Sequence, residues 1–319
     1  MPVQEPQTAC RGTVLVCTRN RGAGLLPTLE AAAALEAPFS HEVLVVDNAS
    51  TDRTPEIVLA FVRRLPRMVH LAVEPVLGLS AARNCGVRLA RGEWIAFLDD
   101  DAIPVPGWLE AYDRALAEPG VMWAGGPVVP EYDAPLPDWL EPRYLPYLSV
   151  WDRGPEPVDL VYNELPRGTN MAFRREAFER VGEFDRRLGR IGRSLRSCEE
   201  LELGLRLERI GARCRYVPGA GVRHRVEASR LTPEWMERRF AAQGFSEAIV
   251  DWRHGGLPAL RRGRDRSREA CERAVAEAGA GSLRARFERA ARKAYRRGSA
   301  YAVVVVPRWT PPAPLPPSP

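Results

Sequence analysis

An open α/β fold with a mostly parallel sheet is the architecture this sequence predicts, and three observations predict it. Short apolar runs recur through the first hundred residues, at 13–17, 42–46, 68–73 and 94–98, and continuous apolar runs are how strands buried on both faces read. Segments with helical spacing separate them, and strand–helix alternation implies right-handed crossovers with helices on both faces of a sheet. The fourth run, within EWIAFLDDD, ends abruptly in Asp99, Asp100 and Asp101, at the strand end where open α/β sheets bind their ligands.

Taken in order, TVLVC at 13–17 is the first strand, followed by the polar loop Thr18-Arg19-Asn20-Arg21 and a helix over 25–37. EVLVV at 42–46 is the second strand and stops at Asp47. After the cap signals Ser50-Thr51-Asp52, apolar Val58, Phe61, Val62 and Leu65 fall at helical spacing. Residues 68–73 make the third strand, 80–90 the third helix and 94–98 the fourth strand. A helix over 108–117 and a strand over 121–130, kinked at Gly125-Gly126, come next. From 132 to 166 the chain is rich in Pro and aromatics, including Trp139, Tyr144, Tyr147, Trp151 and Tyr162; a loop of that length is usually functional, and its aromatic faces suit a sugar ring, with Trp151 a candidate contact. Residues 165–174 read as a strand interrupted at Gly168-Thr169-Asn170, and 176–181 as a short helix. SCEELELGLRLERIG fits a helix better than a strand, since Ser197 and Glu200 have capping-box spacing. Residues 213–217 and 221–224 are expected to close as a strand pair. A helix over 233–252 follows, then a charged helix over 266–297 interrupted at Gly279-Ala280-Gly281, and a Pro-rich tail. The organisation expected is a disordered segment 1–11, a domain over 12–230 split into halves at 103/104, a helical extension over 231–305 and a tail over 306–319.

A chain of 319 residues buries ample core. The formal charge is +5, but from Arg223 onward there are 20 basic and 10 acidic residues, so a mildly acidic body carries a basic C-terminal third. That third suits an anionic membrane surface or nucleic acid, or is simply a solvated helical face; we expect no nucleic acid, and read it as a dimer interface, an acceptor platform or a peripheral membrane contact. Six cysteines without paired spacing argue against a disulfide framework or a zinc knuckle. MPVQEPQTAC lacks the basic and apolar regions of a signal peptide, and the run 302–306 is too short to span a bilayer. The expectation is a cytoplasmic protein, free or peripheral at the inner face of the membrane.

Three adjacent carboxylates at the rim of a core repel one another unless a cation neutralises them, and oxygen-only ligands suit magnesium, manganese or calcium rather than zinc. A solvated acidic loop is the bland alternative. Thr18, Asp47, the DDD run and the acidic helix start Glu199, Glu200 and Glu202 converge on the same crevice.

With VCTRNR, VVDNASTDRT, GLSAARNCGVRLARGEWIAFLDDD, GTNMAFRREAF, CEELELGLRL and His224 in this order, the stretch from Thr13 to Phe245 resembles the family 2 glycosyltransferases of GT-A fold. The resemblance implies that Thr18, Arg19 and Asp47 hold the base and ribose of a nucleotide sugar, with Arg83 near the base or diphosphate. It places Asp99 and Asp100 at the nucleotide and Asp101 with His224 on a Mn2+ or Mg2+ ion bridging the diphosphate. Glu200 matches the family's base, with Glu199 as supporting or alternative acid; the family usually has Asp at the position of Glu200. Gly168, Thr169 and Asn170 would flank the donor sugar and acceptor. The implied reaction is transfer from a nucleotide diphosphate sugar, UDP first and GDP or dTDP after it, to a glycan, lipid-linked or small-molecule hydroxyl, with inversion. A retaining transferase, a sugar nucleotidyltransferase and a non-catalytic nucleotide-sugar binder are the rivals. The loop RNRGAG and the absence of lysine before Lys293 count against the nucleotidyltransferase.

Overall fold

The computed structural model describes residues 10–161 and 164–309. The expected disordered N-terminus is described only from Cys10 and the Pro-rich tail only as far as Trp309; Tyr162 also lies outside the described residues. β1 (Gly12–Thr18), β2 (His41–Asp47), β3 (Val69–Val73) and β4 (Trp94–Asp99) alternate with α1 (Leu26–Ala33), α2 (Thr54–Arg64) and α3 (Leu79–Leu89). The strands pair in parallel, β3 with β2, β2 with β1 and β1 with β4. Register fixes the chemistry: Thr18 lies opposite Asp47, and Cys17 opposite Asp99, so three polar strand ends share one edge of the sheet. The first helix stops at Ala33, short of the expected 37, because Ala34 caps it and the chain turns toward Pro38.

The second half begins with β5 (Ala102–Pro104), α4 (Trp108–Ala117), β6 (Val121–Gly125), β7 (Val128–Tyr132) and β8 (Val158–Leu160). It continues with β9 (Asn170–Arg174), α5 (Arg175–Val181), α6 (Glu199–Arg209), β10 (Arg213–Tyr216) and β11 (Val222–Val226). The main sheet runs β3-β2-β1-β4-β9-β6-β10-β8, and a second sheet runs β5-β11-β7. Strand β9 lies antiparallel between β4 and β6, and β8 antiparallel at the edge; all other main-sheet pairs are parallel.

Four expectations need correction. The strand over 121–130 is two strands in two sheets. The break falls at Gly125-Gly126-Pro127, where a Cβ on Gly126 would sit 1.8 Å from the Ala220 carbonyl oxygen; backbone passes backbone there, and only glycine leaves room. The pair 213–217 with 221–224 does not form, because β10 joins β6 in the main sheet while β11 joins β5 and β7. Residues 165–169 are not strand; β9 starts at Asn170. The capping box is absent: Cys198 caps α6 in a left-handed conformation (φ 71) without a side-chain cap bond, and Ser197 turns its hydroxyl to Gln243.

The aromatic stretch, expected to offer faces to a sugar ring, packs most of its described rings against other rings of the protein. Tyr147 stacks on Phe240 with ring centroids 4.2 Å apart, Tyr144 meets Phe287 at 5.6 Å, and Trp151 stands edge-on to Tyr216 at 5.2 Å. Tyr147 and Tyr144 thereby join the sheet domain to α7 (Pro233–Ala278) and α8 (Leu283–Val305), while the Trp151 pair stays within the sheet domain. α7 is broken at Gly256 (φ 59), so the extension has three helical segments where two were expected; the expected interruption at 279–281 is the turn between α7 and α8. No helix among the described residues is long and apolar enough to cross a membrane.

Candidate active site

A cavity of about 370 Å³ opens at the shared edge of β1, β2 and β4, bordered by Thr18, Arg19 and the three aspartates. Parallel strands point their carbonyl ends there, and the apolar runs behind them hold the ends rigid. Thr18 Oγ1 donates to Asp100 Oδ2 at 2.7 Å, and Arg21 Nε donates to Asp100 Oδ1 at 2.8 Å. Burial, with the like charge of Asp101, pushes Asp100 up to about 6 against the pull of Arg21 and Thr18. Burial would raise Asp101 too, but the bond to His224 and the charges of Arg230 and Arg21 win, and hold it well below the usual carboxylate range. Thr169 Oγ1 donates to Asp99 Oδ2 at 2.8 Å. Arg19 donates to the carbonyls of Asn48 and Ala49 at 3.0 and 3.1 Å, stapling the loop after β2 to the loop after β1. Asp47 is buried; its Oδ2 accepts from the Ser50 amide while Oδ1 has no partner among the described residues. Such an orphaned acceptor is costly unless a ligand donor meets it.

Asp99, Asp101 and His224 each present a ligand atom, all within 4.8 Å of one another. His224 is brought there by β11, which pairs with β5 immediately after the aspartate run, placing His224 opposite Ala102. Its Nε2 lies 3.3 Å from Asp101 Oδ1, while Asp101 Oδ2 takes Arg230 at 3.0 Å and Arg21. Guanidinium groups border the cluster as well: Arg230 Nη1 lies 3.5 Å from His224 Nε2, and Arg83 Nη2 lies 3.5 Å from Asp99 Oδ1. Two carboxylates and one imidazole fit a divalent ion such as Mn2+, whose ligands are oxygen and nitrogen. The neighbouring Arg223 and Arg225 point away, to Glu131 and Asp133.

Behind the aspartates lies Arg83, 2% exposed. It donates to Glu199 Oε1 at 2.8 Å and to the Gly168 carbonyl at 2.8 Å, and lies 3.5 Å from Asp99. Arg83 thus joins Asp99 to the acidic start of α6 and does not border the cavity of the aspartates, where the resemblance implied a base or diphosphate contact. Its guanidinium is caged over Phe97 and Phe184, which fixes its direction. Burial and the adjacent Glu200 push Glu199 up to about 7 despite Arg83. Glu200 instead borders a second cavity of about 600 Å³, with Arg167, Gly168, Ser197 and Arg239. Its Oε2 is buried and unpartnered. Ser149 lines both cavities.

The helix that carries both glutamates is anchored from behind. Glu202, fully buried, pairs with Arg206 at 2.8 Å, with His254 at 3.0 Å and with Arg253. Since His254 and Arg253 belong to α7, the C-terminal extension holds the first turn of α6 in place.

Thr18, Asp47, Arg83, the three aspartates and Gly168 lie within the reach of a known sequence family. The model of glycosyl transferase family 2 matches residues 13–182, more than half of the chain. The chain belongs to that family. A glucosyl-dolichyl phosphate glucuronosyltransferase of Haloferax volcanii is 31% identical over 177 residues, 54% of this chain and 56% of that protein. The chain thus spans little more than half the length of that relative. The succinoglycan biosynthesis protein ExoM of Rhizobium meliloti is 27% identical over 246 residues, 75% of each chain. Among solved structures, a mannosyltransferase from Pyrobaculum calidifontis in complex with GDP-Man and Mn2+ superposes with a TM-score of 0.58 at 21% identity, covering 94% of this chain and 88% of that one. That likeness establishes the GT-A architecture.

Of the residues expected from the sequence, Thr18, Arg19, Asp99, Asp100, Asp101 and His224 gather at one cavity, with Asp47 at the neighbouring strand end, and Gly168 and Glu200 border the other. Thr169 supports Asp99. Asn170 does not face either cavity: its Oδ1 accepts from Trp108 and Tyr112, and its Nδ2 donates to the Pro127 and Ala220 carbonyls. Trp151 is also withdrawn, 7% exposed against Tyr216. Three residues were missed. Arg21 bridges Asp100, Asp101 and Glu227; it stands in the VCTRNR motif, so the signal was there. Arg190 and Arg230 border the cavity of the aspartates; the former stands in the arginine-rich stretch 186–196. That segment is tied down by Arg187 on Asp185 and by the Arg190 carbonyl, which accepts from Leu79 N.

Proposed function

We propose that this chain is an inverting glycosyltransferase that moves a sugar from a nucleotide diphosphate donor to an acceptor hydroxyl. The observation that carries the reading is a pair of polar cavities that share Ser149 in their walls, one holding the aspartate–histidine cluster and the other bordered by Glu200, whose Oε2 has no partner among the described residues. Thr18 and Arg19 border the pocket for base and ribose; Asp47 lies behind its wall, and its orphaned Oδ1 accepts from the base once nucleotide binding opens that wall. Arg21, Arg190 and Arg230 surround the diphosphate with charge-assisted donors. Asp99, Asp101 and His224 would hold Mn2+ or Mg2+, and a divalent ion there supplies charge neutralisation for the departing diphosphate. Mn2+ is favoured over Mg2+ because one of the three ligands is an imidazole.

Glu200 takes the proton of the acceptor hydroxyl as that oxygen attacks the anomeric carbon from the second cavity. Attack from one cavity while the diphosphate leaves into the other is direct displacement, which inverts the centre. Glu199, held by Arg83, is the supporting acid. UDP is the nucleotide we favour, with GDP the first alternative because the Pyrobaculum neighbour was solved with GDP-Man. The acceptor class is a glycan, lipid-linked or small-molecule hydroxyl. Calorimetric titration of UDP, GDP and dTDP, with and without Mn2+, tests the donor half: one nucleotide should bind with metal dependence, and Asp101→Asn should weaken that dependence at least about tenfold. Glu200→Gln should keep nucleotide affinity while lowering turnover by about 10²–10⁴. Unchanged turnover in Glu200→Gln would remove the base assignment.

A further inference from the structure

The second segment of α7 runs away from Gly256 and α8 runs back beside it, as Arg284 pairing with Glu277 near the turn and Tyr295 bonding the Leu260 carbonyl near the corner show. Residues 257–305 contain 13 basic and 5 acidic side chains. Part of that excess is concentrated in a groove of about 370 Å³ between the two helices, bordered by Arg261, Arg264, Arg268, Arg292 and Arg296. On α7 the arginines recur at i, i+3 and i+7, and on α8 at i and i+4, so each helix turns one face to the groove. Arg268 has Asp265 at 3.6 Å and Glu272 at 3.8 Å. Arg261, Arg264, Arg292 and Arg296 have no ion pair among the described residues.

The same end of the hairpin exposes apolar side chains. Leu257 is 55% exposed at the Gly256 corner, and Val304 is 84% exposed, flanked by Val303 and Val305 at 46% and 47%. Two bonds hold the end of α8 to that corner: Trp252 Nε1 donates to the Val306 carbonyl at 2.5 Å and Trp309 N to the Arg253 carbonyl at 2.9 Å. An apolar tip with unpaired arginines behind it is the pattern of a surface that enters the headgroup region of a bilayer, the tip among acyl chains and the arginines on lipid phosphates. Nucleic acid would use the arginines but leave the valines in water. A second copy of this chain would cover the valines but oppose arginine to arginine.

The geometry points to this helical hairpin as a docking site for an anionic lipid surface, reached without any membrane-crossing helix. Flotation of the full chain with vesicles of phosphatidylcholine alone, and with added phosphatidylglycerol, tests it. The protein should float with the anionic vesicles only, and less so as salt rises. Arg261→Gln, Arg264→Gln, Arg292→Gln and Arg296→Gln together should lower partitioning by about a hundredfold or more, at about fivefold per arginine. Val304→Asp should lower it about tenfold with all arginines in place. Circular dichroism and urea unfolding confirm that these exposed substitutions leave the fold intact. Absence of flotation with anionic vesicles, or flotation unchanged in both variants, overturns the inference. So does tight binding of duplex RNA or inorganic phosphate in place of vesicles, or a dimer in sedimentation that Val304→Asp dissolves.

Discussion

Replacing Arg83 by Met separates two accounts of that residue. If Arg83 is the joint between Asp99, Gly168 and Glu199, its loss strands Glu199, which is 4% exposed, and leaves the Gly168 carbonyl without its donor. Breaking a buried ion pair by removing one partner costs about 3–5 kcal/mol. Against a total stability of about 5–15 kcal/mol the variant should still fold in the cold. The loss should also depend on pH. Glu199 in the wild type is already pushed up to about 7 by burial and Glu200, with Arg83 pulling the other way; without Arg83 it goes up further and takes a proton. Full cost therefore appears near pH 8 and a smaller one near pH 6. Urea unfolding followed by tryptophan fluorescence at both pH values measures this, and titration of UDP with Mn2+ into the folded variant measures the other account. Nucleotide affinity should change little, since Arg83 does not border the donor cavity. A stability loss under about 1 kcal/mol together with nucleotide binding weakened tenfold or more would refute the reasoning and return Arg83 to the diphosphate.

Three further outcomes follow from the same geometry. Glu199 has a folded-state pKa of about 7, raised from 4.5, so its contribution to stability is fully present below about pH 4.5 and lost as the pH rises through about 7; the melting temperature of wild type minus that of Glu199→Gln should fall from pH 5 to pH 8, and a difference that rises instead would contradict the shift. Gly126→Ala places a methyl 1.8 Å from the Ala220 carbonyl oxygen and should cost about 3 kcal/mol or more by chemical denaturation, with a near-neutral result showing that the two sheets can part there. Asn170→Ala leaves an indole N–H, a tyrosine hydroxyl and two carbonyls without their partner, and should cost about 3–5 kcal/mol in the same assay while nucleotide affinity in the folded protein is retained.

Much of the nucleotide half was legible because its physics is local. A strand buried on both faces must be apolar throughout, and its binding end must be polar, so 13–17, 42–46 and 94–98 declared both themselves and their exits to Thr18, Asp47 and Asp99. The second half was harder for a reason that is equally physical. Period and propensity say that a segment is a strand but not which neighbour it takes, and residues 121–132 and 213–226 change sheets in mid-run. The signal for that change is the pair Gly125-Gly126, which reads as a kink from sequence alone and as a backbone crossing once Ala220 lies against it.

Side-chain roles divide along the same line. The aspartates were legible as a cluster because adjacency in sequence is adjacency in space. Which arginine each one takes was not, since Arg21 reaches Asp100 across 79 residues and Glu227 across 206. The spacing of Ser197 and Glu200 suggested a capping box, and that reading would have given Glu200 a purely structural place. Cys198 instead caps α6 in the left-handed region, Ser197 turns to Gln243 of α7, and Glu200 is released into the larger cavity. The C-terminal extension therefore acts on the active site from both ends of this turn, through Gln243 before it and through Arg253 and His254 on Glu202 after it. A helix N-terminus that presents one glutamate to Arg83 and the next to the larger cavity has little tolerance for rotation about its axis. Holding that rotation is the structural reason for the first segment of α7, independent of what the hairpin beyond Gly256 binds.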